Sequence, residues 1–192
     1  DDLCKQLASA GKEEIVHELT GLKIDTYFPA SKLRWLLDAR PDIRAKLKDG
    51  SALFGTIDTY LIYRLTGGEV YATDHTNASR TLFYDIEKLG WSEELCKVFG
   101  LEFGELPDVR ESPAWYGDTD LGGCINRRIP ICGVMGDSQA ALFAQRCFAP
   151  GGAKVTFGTG SSVLLNIGHE KRLSEHGTVT ALAWVLQGQP TY

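Results

Sequence analysis

Apolar residues recur every three to four positions through much of the N-terminal half of the chain, which predicts amphipathic helices. Four segments carry this spacing: 2–19, 27–39, 57–65 and 91–99. We expect the first segment to break into two short helices at Gly11, and the second to end at Pro41. Residues 69–86 lack this spacing, and they predict extended segments separated by a polar turn at 74–77.

The pattern changes after Arg128, where a compact apolar run predicts a buried strand over 129–135. Gly136 and Asp137 follow this strand, and the residues from 138 to 147 predict a helix that begins at once. Strand–turn–helix junctions of this kind are where α/β proteins bind their ligands. The sequence therefore predicts an α/β fold with candidate chemistry at Asp137.

Hairpins are predicted towards the C-terminus. Residues 153–157 and 161–166 predict two paired strands, with Gly158-Thr159-Gly160 at the tip between them. Residues 179–184 predict another strand, followed by a turn and the first residues of a returning strand within 187–192. Because this end is abrupt and the only methionine is internal, we expect the chain to be a fragment of a longer protein.

Composition narrows the class of protein. The 192 residues are 43% hydrophobic and 23% charged, which is typical of a globular chain with a substantial core. The net charge of −5 argues against a basic face that holds nucleic acid. No apolar run approaches the roughly 18 residues of a membrane span, and no signal-peptide pattern opens the chain. Five cysteines without a C-x-x-C pair predict reduced thiols, so we expect a cytoplasmic protein.

Asp137 is the first candidate for chemistry. A carboxylate at the end of a buried strand and beside a helix N-terminus can be held rigidly while it faces a cleft. Such a group could act as a general base or bind a metal ion. The alternative is that Asp137 only caps the helix that begins at Ser138, and sequence position does not separate the two roles.

Two further features could bind ligands. Gly158-Thr159-Gly160 offers main-chain N–H groups and one hydroxyl on a tight turn where a phosphate could approach closely, although a plain hairpin turn has the same composition. The aromatic residues Tyr27, Trp35 and Tyr60 could line a sugar pocket, but aromatic residues at helical spacing are more often part of a core.

Four stretches resemble the FGGY family of carbohydrate kinases, in the family's order and at its spacing. They are GLKIDTYFPASKLRWLLDARPDIRAKLKDGSALFGTIDTYLIYRLTGGEVYATDHTNASRTLFYDI, LPDVRESPAWYGDTD, RIPICGVMGDSQAALFAQ and AKVTFGTGSSVLLNIG. The resemblance covers essentially the whole chain. It implies an actin-like, ribonuclease H-like ATPase fold of the α/β class, present in part. Residues 1–147 would be the later part of the N-terminal substrate domain, and residues 148–192 the opening β-hairpins of the C-terminal ATPase domain.

The resemblance also implies the chemistry. Its cofactors would be ATP and Mg²⁺, and its partner a small molecule that receives a phosphoryl group on a terminal hydroxyl, namely glycerol or a related polyol or sugar. Asp137 would be the catalytic base, would contact the substrate and would lie at the metal. Tyr27 would contact the polyol, and Gly158, Thr159 and Gly160 would hold the ATP phosphates. Family members that act on glycerol typically carry Gln and Phe at the positions of Ser138 and Ser162, which predicts a roomier, more polar substrate pocket here.

Two expectations concern the parent protein. We expect it to be a homo-oligomer, and we expect the isolated chain to be inactive, because the family's first phosphate loop and adenine pocket have no counterpart in these residues. The alternative function is a non-catalytic, actin-like module that binds sugar or nucleotide and has lost the chemistry.

Overall fold

A computed structural model describes all 192 residues as a mixture of short helices and short strands. The helices are α1 (Asp2–Ser9), α2 (Glu13–Thr20), α3 (Pro29–Ala39), α4 (Pro41–Asp49), α5 (Ile57–Leu65), α6 (His75–Ala78), α7 (Glu93–Phe99) and α8 (Asp137–Ala144). The strands are β1 (Ala72–Asp74), β2 (Tyr84–Asp85), β3 (Gly90–Trp91), β4 (Asp108–Arg110), β5 (Asp118–Thr119), β6 (Ile129–Pro130), β7 (Ala153–Phe157), β8 (Ser161–Leu165), β9 (Trp184–Leu186) and β10 (Gln189–Thr191).

The strands form five two-stranded pairs. Strands β1 and β4 are parallel, and Asp74 at the end of β1 lies opposite Arg110 at the end of β4. The other pairs are antiparallel: β2 with β3, β5 with β6, β7 with β8, and β9 with β10. Since parallel strands end at the same edge, the residues that follow β1 and β4 are brought together.

The predicted helices of the N-terminal half are confirmed, and so is the break at Gly11. Pro41 does end α3, but it also begins α4, which the sequence analysis did not predict. Proline is accepted in the first turn of a helix because the N–H it lacks has no partner there. A single proline therefore lies between two helices, where it ends α3 and begins α4.

Two predictions, a polar turn and a strand, are wrong. The polar turn at 74–77 is instead the short helix α6, because the Asp74 side chain accepts the main-chain N–H groups of Thr76 and Asn77 as an N-cap. The predicted buried strand over 129–135 is regular only at β6, and Pro130 and Cys132 are exposed. This segment is hydrogen-bonded along one edge only, so no second strand covers it.

The larger hydrophobic core lies among the N-terminal helices. Its buried members come from α2, α3, α4, α7 and the loops between them, and they are Val16, Leu22, Phe28, Ala30, Leu37, Leu47, Leu82, Phe83, Leu95, Phe99 and Leu101. Burial of these side chains orients α3, which carries Tyr27 immediately before its N-cap Phe28. No helix of the chain is both long enough and apolar enough to cross a membrane.

A second core joins the C-terminal hairpin to the rest of the chain. Its members are Ala78, Tyr84, Ile86, Leu182, Val185 and Tyr192. The hydroxyl of Tyr192 donates to the carbonyl of Ile86 at 2.9 Å, and the main-chain N–H of Thr180 donates to the carbonyl of Gly21 at 2.9 Å. The strand predicted over 179–184 begins only at Trp184. Leu182 packs into this core, whereas Ala183 packs with Leu142 and Trp184 in a separate cluster.

Candidate active site

Asp137 is the first residue of α8 and its side chain is exposed. The N-cap is Gly136 rather than Asp137, so the capping alternative in its simple form is wrong. The carboxylate nevertheless accepts the main-chain N–H of Ser138 at 2.6 Å, and no Lys, Arg or His lies within ion-pair distance of it. The Asp137 carboxylate is therefore exposed and can accept further hydrogen bonds.

The backbone that leads to Asp137 is held along one edge. Three main-chain hydrogen bonds secure it: Tyr116 N–H to Ile131 O at 2.8 Å, Ile131 N–H to Gly117 O at 2.8 Å, and Val134 N–H to Ser112 O at 3.0 Å. A fourth bond goes to a side chain, since the N–H of Gly136 donates to Oγ1 of Thr76 at 2.8 Å. These bonds fix the segment 131–136, which leads from β6 to α8.

Thr76 belongs to a polar network centred on Asp74, which is fully buried. The Asp74 carboxylate accepts five donors: Thr76 N–H at 3.2 Å, Thr76 Oγ1 at 2.8 Å, Asn77 N–H at 3.0 Å, Asn77 Nδ2 at 2.8 Å and Ser112 Oγ at 2.7 Å. Strand β1 supplies Asp74, and Ser112 follows the parallel strand β4. The parallel pairing is thus what brings these groups together.

The same segment, residues 74–81, also contacts the start of α3. The carbonyl of Thr81 accepts the main-chain N–H of Ala30 at 3.2 Å. The guanidinium of Arg80 lies over the ring of Phe28, 5.0 Å from its centroid, a cation–π arrangement. Residues 74–81 therefore link the neighbourhood of Tyr27 to that of Asp137.

Tyr27 is 70% exposed, and its ring meets the ring of Phe28 edge to face at 5.3 Å. Its main-chain N–H donates to Oδ1 of Asp25 at 2.7 Å, which fixes the turn before α3, while its hydroxyl makes no hydrogen bond within the chain. Trp35 and Tyr60 are also exposed, at 71% and 56%. The alternative that these three aromatic residues belong to the core is wrong.

The predicted phosphate turn lies at the tip of the β7–β8 hairpin, whose two strands are confirmed. Gly158, Thr159 and Gly160 are all exposed, the N–H of Gly158 donates to the carbonyl of Gly160 at 3.1 Å, and the Thr159 hydroxyl has no partner within the chain. On β8, the half-buried Ser162 hydroxyl accepts Nζ of Lys154 at 3.1 Å. No hydrogen bond or ion pair joins this hairpin tip to Asp137.

A metal ion would find few ligands in the chain. No group of three or more His, Cys, Asp or Glu side chains is arranged to hold one. A lone exposed carboxylate fits Mg²⁺, which keeps most of its waters and is bound through one or two carboxylates together with substrate phosphates. Asp137 is therefore compatible with a magnesium ion that arrives with a nucleotide.

Three residues that support Asp137 were not predicted from the sequence. Asp74, Thr76 and Ser112 hold the segment 131–136 in place. One local signal was available, because Asp is among the preferred N-cap residues and Asp74 precedes α6. The contact from Thr76 to Gly136 has no local signal.

Comparison with known proteins identifies the class. The family model "FGGY family of carbohydrate kinases, N-terminal domain" matches residues 1–144. The chain belongs to the FGGY family of carbohydrate kinases, as its motifs predicted. Structural neighbours in this family confirm that the fold is the actin-like ATPase fold, of which the chain contains a part.

Within the family, the chain is similar to glycerol kinases. It is 46% identical over 190 residues to glycerol kinase of Desulfitobacterium hafniense and 45% identical over 191 residues to that of Bacillus mycoides, matching 99% and 100% of this chain. It spans 38% of the length of each of these relatives.

Solved structures give the same result. Plasmodium falciparum glycerol kinase with ADP superposes on the whole chain with a TM-score of 0.90 and 34% identity, over 39% of its own length. A ligand-bound xylulose kinase of Lactobacillus acidophilus matches 99% of the chain, and 38% of its own, with a TM-score of 0.84. Its identity of 16% shows the fold alone.

Proposed function

We propose that the chain is part of an ATP-dependent kinase that phosphorylates a terminal hydroxyl of glycerol or a related polyol or sugar. The observation that carries this proposal is the exposed Asp137 carboxylate, without a counter-ion, at the start of α8 in a chain 46% identical to a glycerol kinase. Phosphoryl transfer requires mainly positioning and charge neutralisation from the protein. A carboxylate at the start of a helix, after a segment that is hydrogen-bonded in place, supplies the first.

Asp137 acts as the general base in this proposal. Its carboxylate accepts the proton of the substrate hydroxyl as that oxygen forms a bond to the γ-phosphorus of ATP. The bond between the γ-phosphorus and the bridging oxygen breaks, and ADP leaves with the electron pair. One carboxylate oxygen already accepts the N–H of Ser138 at 2.6 Å, which orients the group, and the other oxygen is available to the substrate.

Tyr27, Ser138 and Ser162 are proposed to contact the substrate. The exposed ring of Tyr27 offers a flat apolar face and a free hydroxyl, which suit a polyol. The two serine side chains are half-buried and small. They favour a substrate with more hydroxyl groups than glycerol, because a site that hydrogen-bonds an OH discriminates strongly against substrates that lack it.

Gly158, Thr159 and Gly160 are proposed to bind the ATP phosphates. The chain's own packing does not explain the glycine at 160, because a Cβ added there would meet nothing within 4 Å, and its φ is outside the left-handed region. Close approach of a phosphate to the main chain is a reason for glycine at such a turn. Mg²⁺ bound with ATP would neutralise the phosphate charge, and Asp137 is the residue that would lie at it.

The proposal extends to organisation and location. We assign residues 1–147 to the N-terminal substrate domain and residues 148–192 to the start of the ATPase domain. Five free cysteines support a reducing, cytoplasmic environment. That the parent protein is a homo-oligomer, and that it does not bind nucleic acid, stay predictions.

A coupled ADP-release assay tests the function. The full-length parent protein is presented with ATP, Mg²⁺ and a panel of glycerol, tetritols, pentitols and ketoses. Turnover on at least one of them is expected. If no alcohol supports ADP release, the kinase proposal is wrong and the non-catalytic module, which no present observation favours, becomes the better account.

A further inference from the structure

The hydroxyl of Thr76 lies between two polar partners, and the chemistry of those partners fixes its direction. The Gly136 N–H can only donate, so Oγ1 of Thr76 accepts that bond at 2.8 Å. The single hydroxyl hydrogen of Thr76 is then directed to the Asp74 carboxylate, 2.8 Å from Oδ2. An ordered chain of hydrogen bonds therefore runs from Asp74 through Thr76 to Gly136.

Asp74 is a rigid anchor for this series of hydrogen bonds. Its carboxylate is fully buried and has no cation within ion-pair distance, so its charge is met by N–H and O–H donors alone. Ser112 contributes one of these donors from the loop after β4. Buried polar networks that are fully satisfied are costly to rearrange, because any broken bond leaves a desolvated polar atom.

The last hydrogen bond of this series involves Gly136, one residue before Asp137. The peptide unit is planar, so holding the Gly136 amide fixes the orientation of the corner between the segment 131–136 and α8. The Asp137 carboxylate itself contacts only the N–H of Ser138 within the chain. A Cβ added at Gly136 would lie 3.4 Å from Oγ1 of Thr76, which shows how closely the two segments approach.

We propose that Thr76, anchored by Asp74, is a positioning residue that sets the direction of the Asp137 carboxylate through the main chain of Gly136. This inference rests on the proposed function, because the orientation of Asp137 matters only if it takes a proton from the substrate. Thr76 does not touch the substrate in this account. Loss of its hydroxyl lets the main chain at Gly136 shift, and the proposed base then moves out of line with the substrate hydroxyl.

The test uses the full-length kinase that contains this chain. Thr76→Val removes the hydroxyl while keeping the side-chain shape, and Thr76→Ser keeps the hydroxyl. The matched control is Thr20→Val, because Thr20 is 1% exposed and Thr76 0% exposed. The Thr20 hydroxyl likewise donates to one group, the carbonyl of Val16 at 2.6 Å, and accepts from another, the N–H of Leu22 at 3.0 Å.

We expect Thr76→Val to lower kcat about 10- to 100-fold with little change in KM, which is the loss typical of a misaligned reacting group. Thr76→Ser restores kcat. Thr20→Val lowers the melting temperature by a similar amount but leaves kcat per folded molecule unchanged. A merely structural role for Thr76 would make the two valine variants alike in kcat.

Three results from the variants would overturn the inference. One is a kcat for Thr76→Val equal to that of Thr20→Val, and another is a Thr76→Ser variant as slow as Thr76→Val. If Thr76→Val does not fold, Ser112→Ala removes one donor to Asp74, and an unchanged kcat in that variant is the third. A wild-type protein with no turnover at all would overturn both this inference and the proposed function, whereas an active wild type with an equally active Thr76→Val overturns this inference alone.

Discussion

The main-chain N–H of Gly136 donates to the hydroxyl of Thr76 at 2.8 Å, although the two residues are 60 positions apart. This bond joins the segment 74–81 to the residue that precedes α8 and Asp137. The same segment meets the first turn of α3 through Thr81 and Ala30. Tyr27, the proposed substrate contact, and Asp137, the proposed base, are thereby both close to residues that bind one short stretch of backbone.

The docking of the C-terminal segment predicts a large effect of Gly21→Ala. Gly21 has φ +70°, and a Cβ there would lie 2.2 Å from the carbonyl oxygen of Thr180. Gly11 also has φ +70° but nothing within 4 Å of an added Cβ. Gly11→Ala should therefore cost about 1–2 kcal/mol of unfolding free energy from backbone strain alone. Gly21→Ala should cost about 2–5 kcal/mol because a steric clash is added.

Urea unfolding of the two variants and the wild type measures this difference. Equal midpoints for Gly11→Ala and Gly21→Ala would contradict the packing of residue 180 against the end of α2.

The stability of the protein should fall in mild acid because of His75. Burial lowers the pKa of His75 below its ordinary value of 6.5, against the opposing charges of Asp74 and Glu111. The unfolded chain then binds a proton at a higher pH than the folded chain does. The contribution of neutral His75 to the free energy of unfolding is fully present above about pH 6.5. It falls as the pH drops from there towards the lowered pKa, by at most about 1.4 kcal/mol per pH unit.

Urea titrations between pH 7 and pH 5 test this, in steps of about half a unit. His75→Gln keeps an acceptor for the Tyr84 hydroxyl and should remove this part of the pH dependence. His176 is exposed, so His176→Gln serves as the control and should leave the dependence unchanged. An unaltered pH dependence in His75→Gln would show that other groups cause it.

Substrate preference should follow the two serines. Ser162→Phe combined with Ser138→Gln reduces the space and the hydroxyl content of the proposed pocket. We expect the kcat/KM ratio of glycerol to longer polyols to rise about 10-fold or more in the double variant. Ser161→Phe places the same ring on the opposite face of β8, and it should leave the ratio unchanged.

A stability cost accompanies this change. The buried ammonium of Lys154 donates to Ser162 and to Thr156, at 3.1 and 2.8 Å. Loss of the serine hydroxyl leaves one donor unmatched, which should cost about 1–3 kcal/mol. Ser162→Ala isolates that cost in a urea titration. A double variant with wild-type selectivity would remove Ser138 and Ser162 from the substrate pocket.

Local patterns predicted much of the fold because helices follow from residues close in sequence. The break at Gly11 and the helix over 57–65 needed only apolar spacing and turn residues. The prediction failed over 129–135, where an apolar run was taken for a buried strand. Burial of a strand depends on what pairs with both of its edges, and the run itself carries no information about that.

The candidate site likewise contains one residue that local sequence predicts and others that it does not. Asp137 was predicted as a candidate from an apolar run, a turn and a helix that are close together in sequence. The support of Asp137 by Asp74, Thr76 and Ser112 could not be predicted. The hydrogen bond from Gly136 to Thr76 spans 60 positions, and the network depends on the parallel pairing of β1 with β4. A hydrogen bond from a side chain to a distant main chain leaves no periodic trace in sequence. The residues proposed to position the site are thus harder to predict than the residue proposed to react.

The most direct test of the account is the turnover of Asp137→Asn in the full-length protein. Asn keeps the shape of the side chain but cannot accept the proton, so kcat should fall about 10²- to 10⁴-fold. Asp2→Asn is the matched control, since Asp2 is also the exposed first residue of an eight-residue helix. Both variants should unfold at similar urea concentrations. Wild-type turnover in Asp137→Asn, measured by ADP release on the best alcohol, would contradict the assignment of Asp137 as the base.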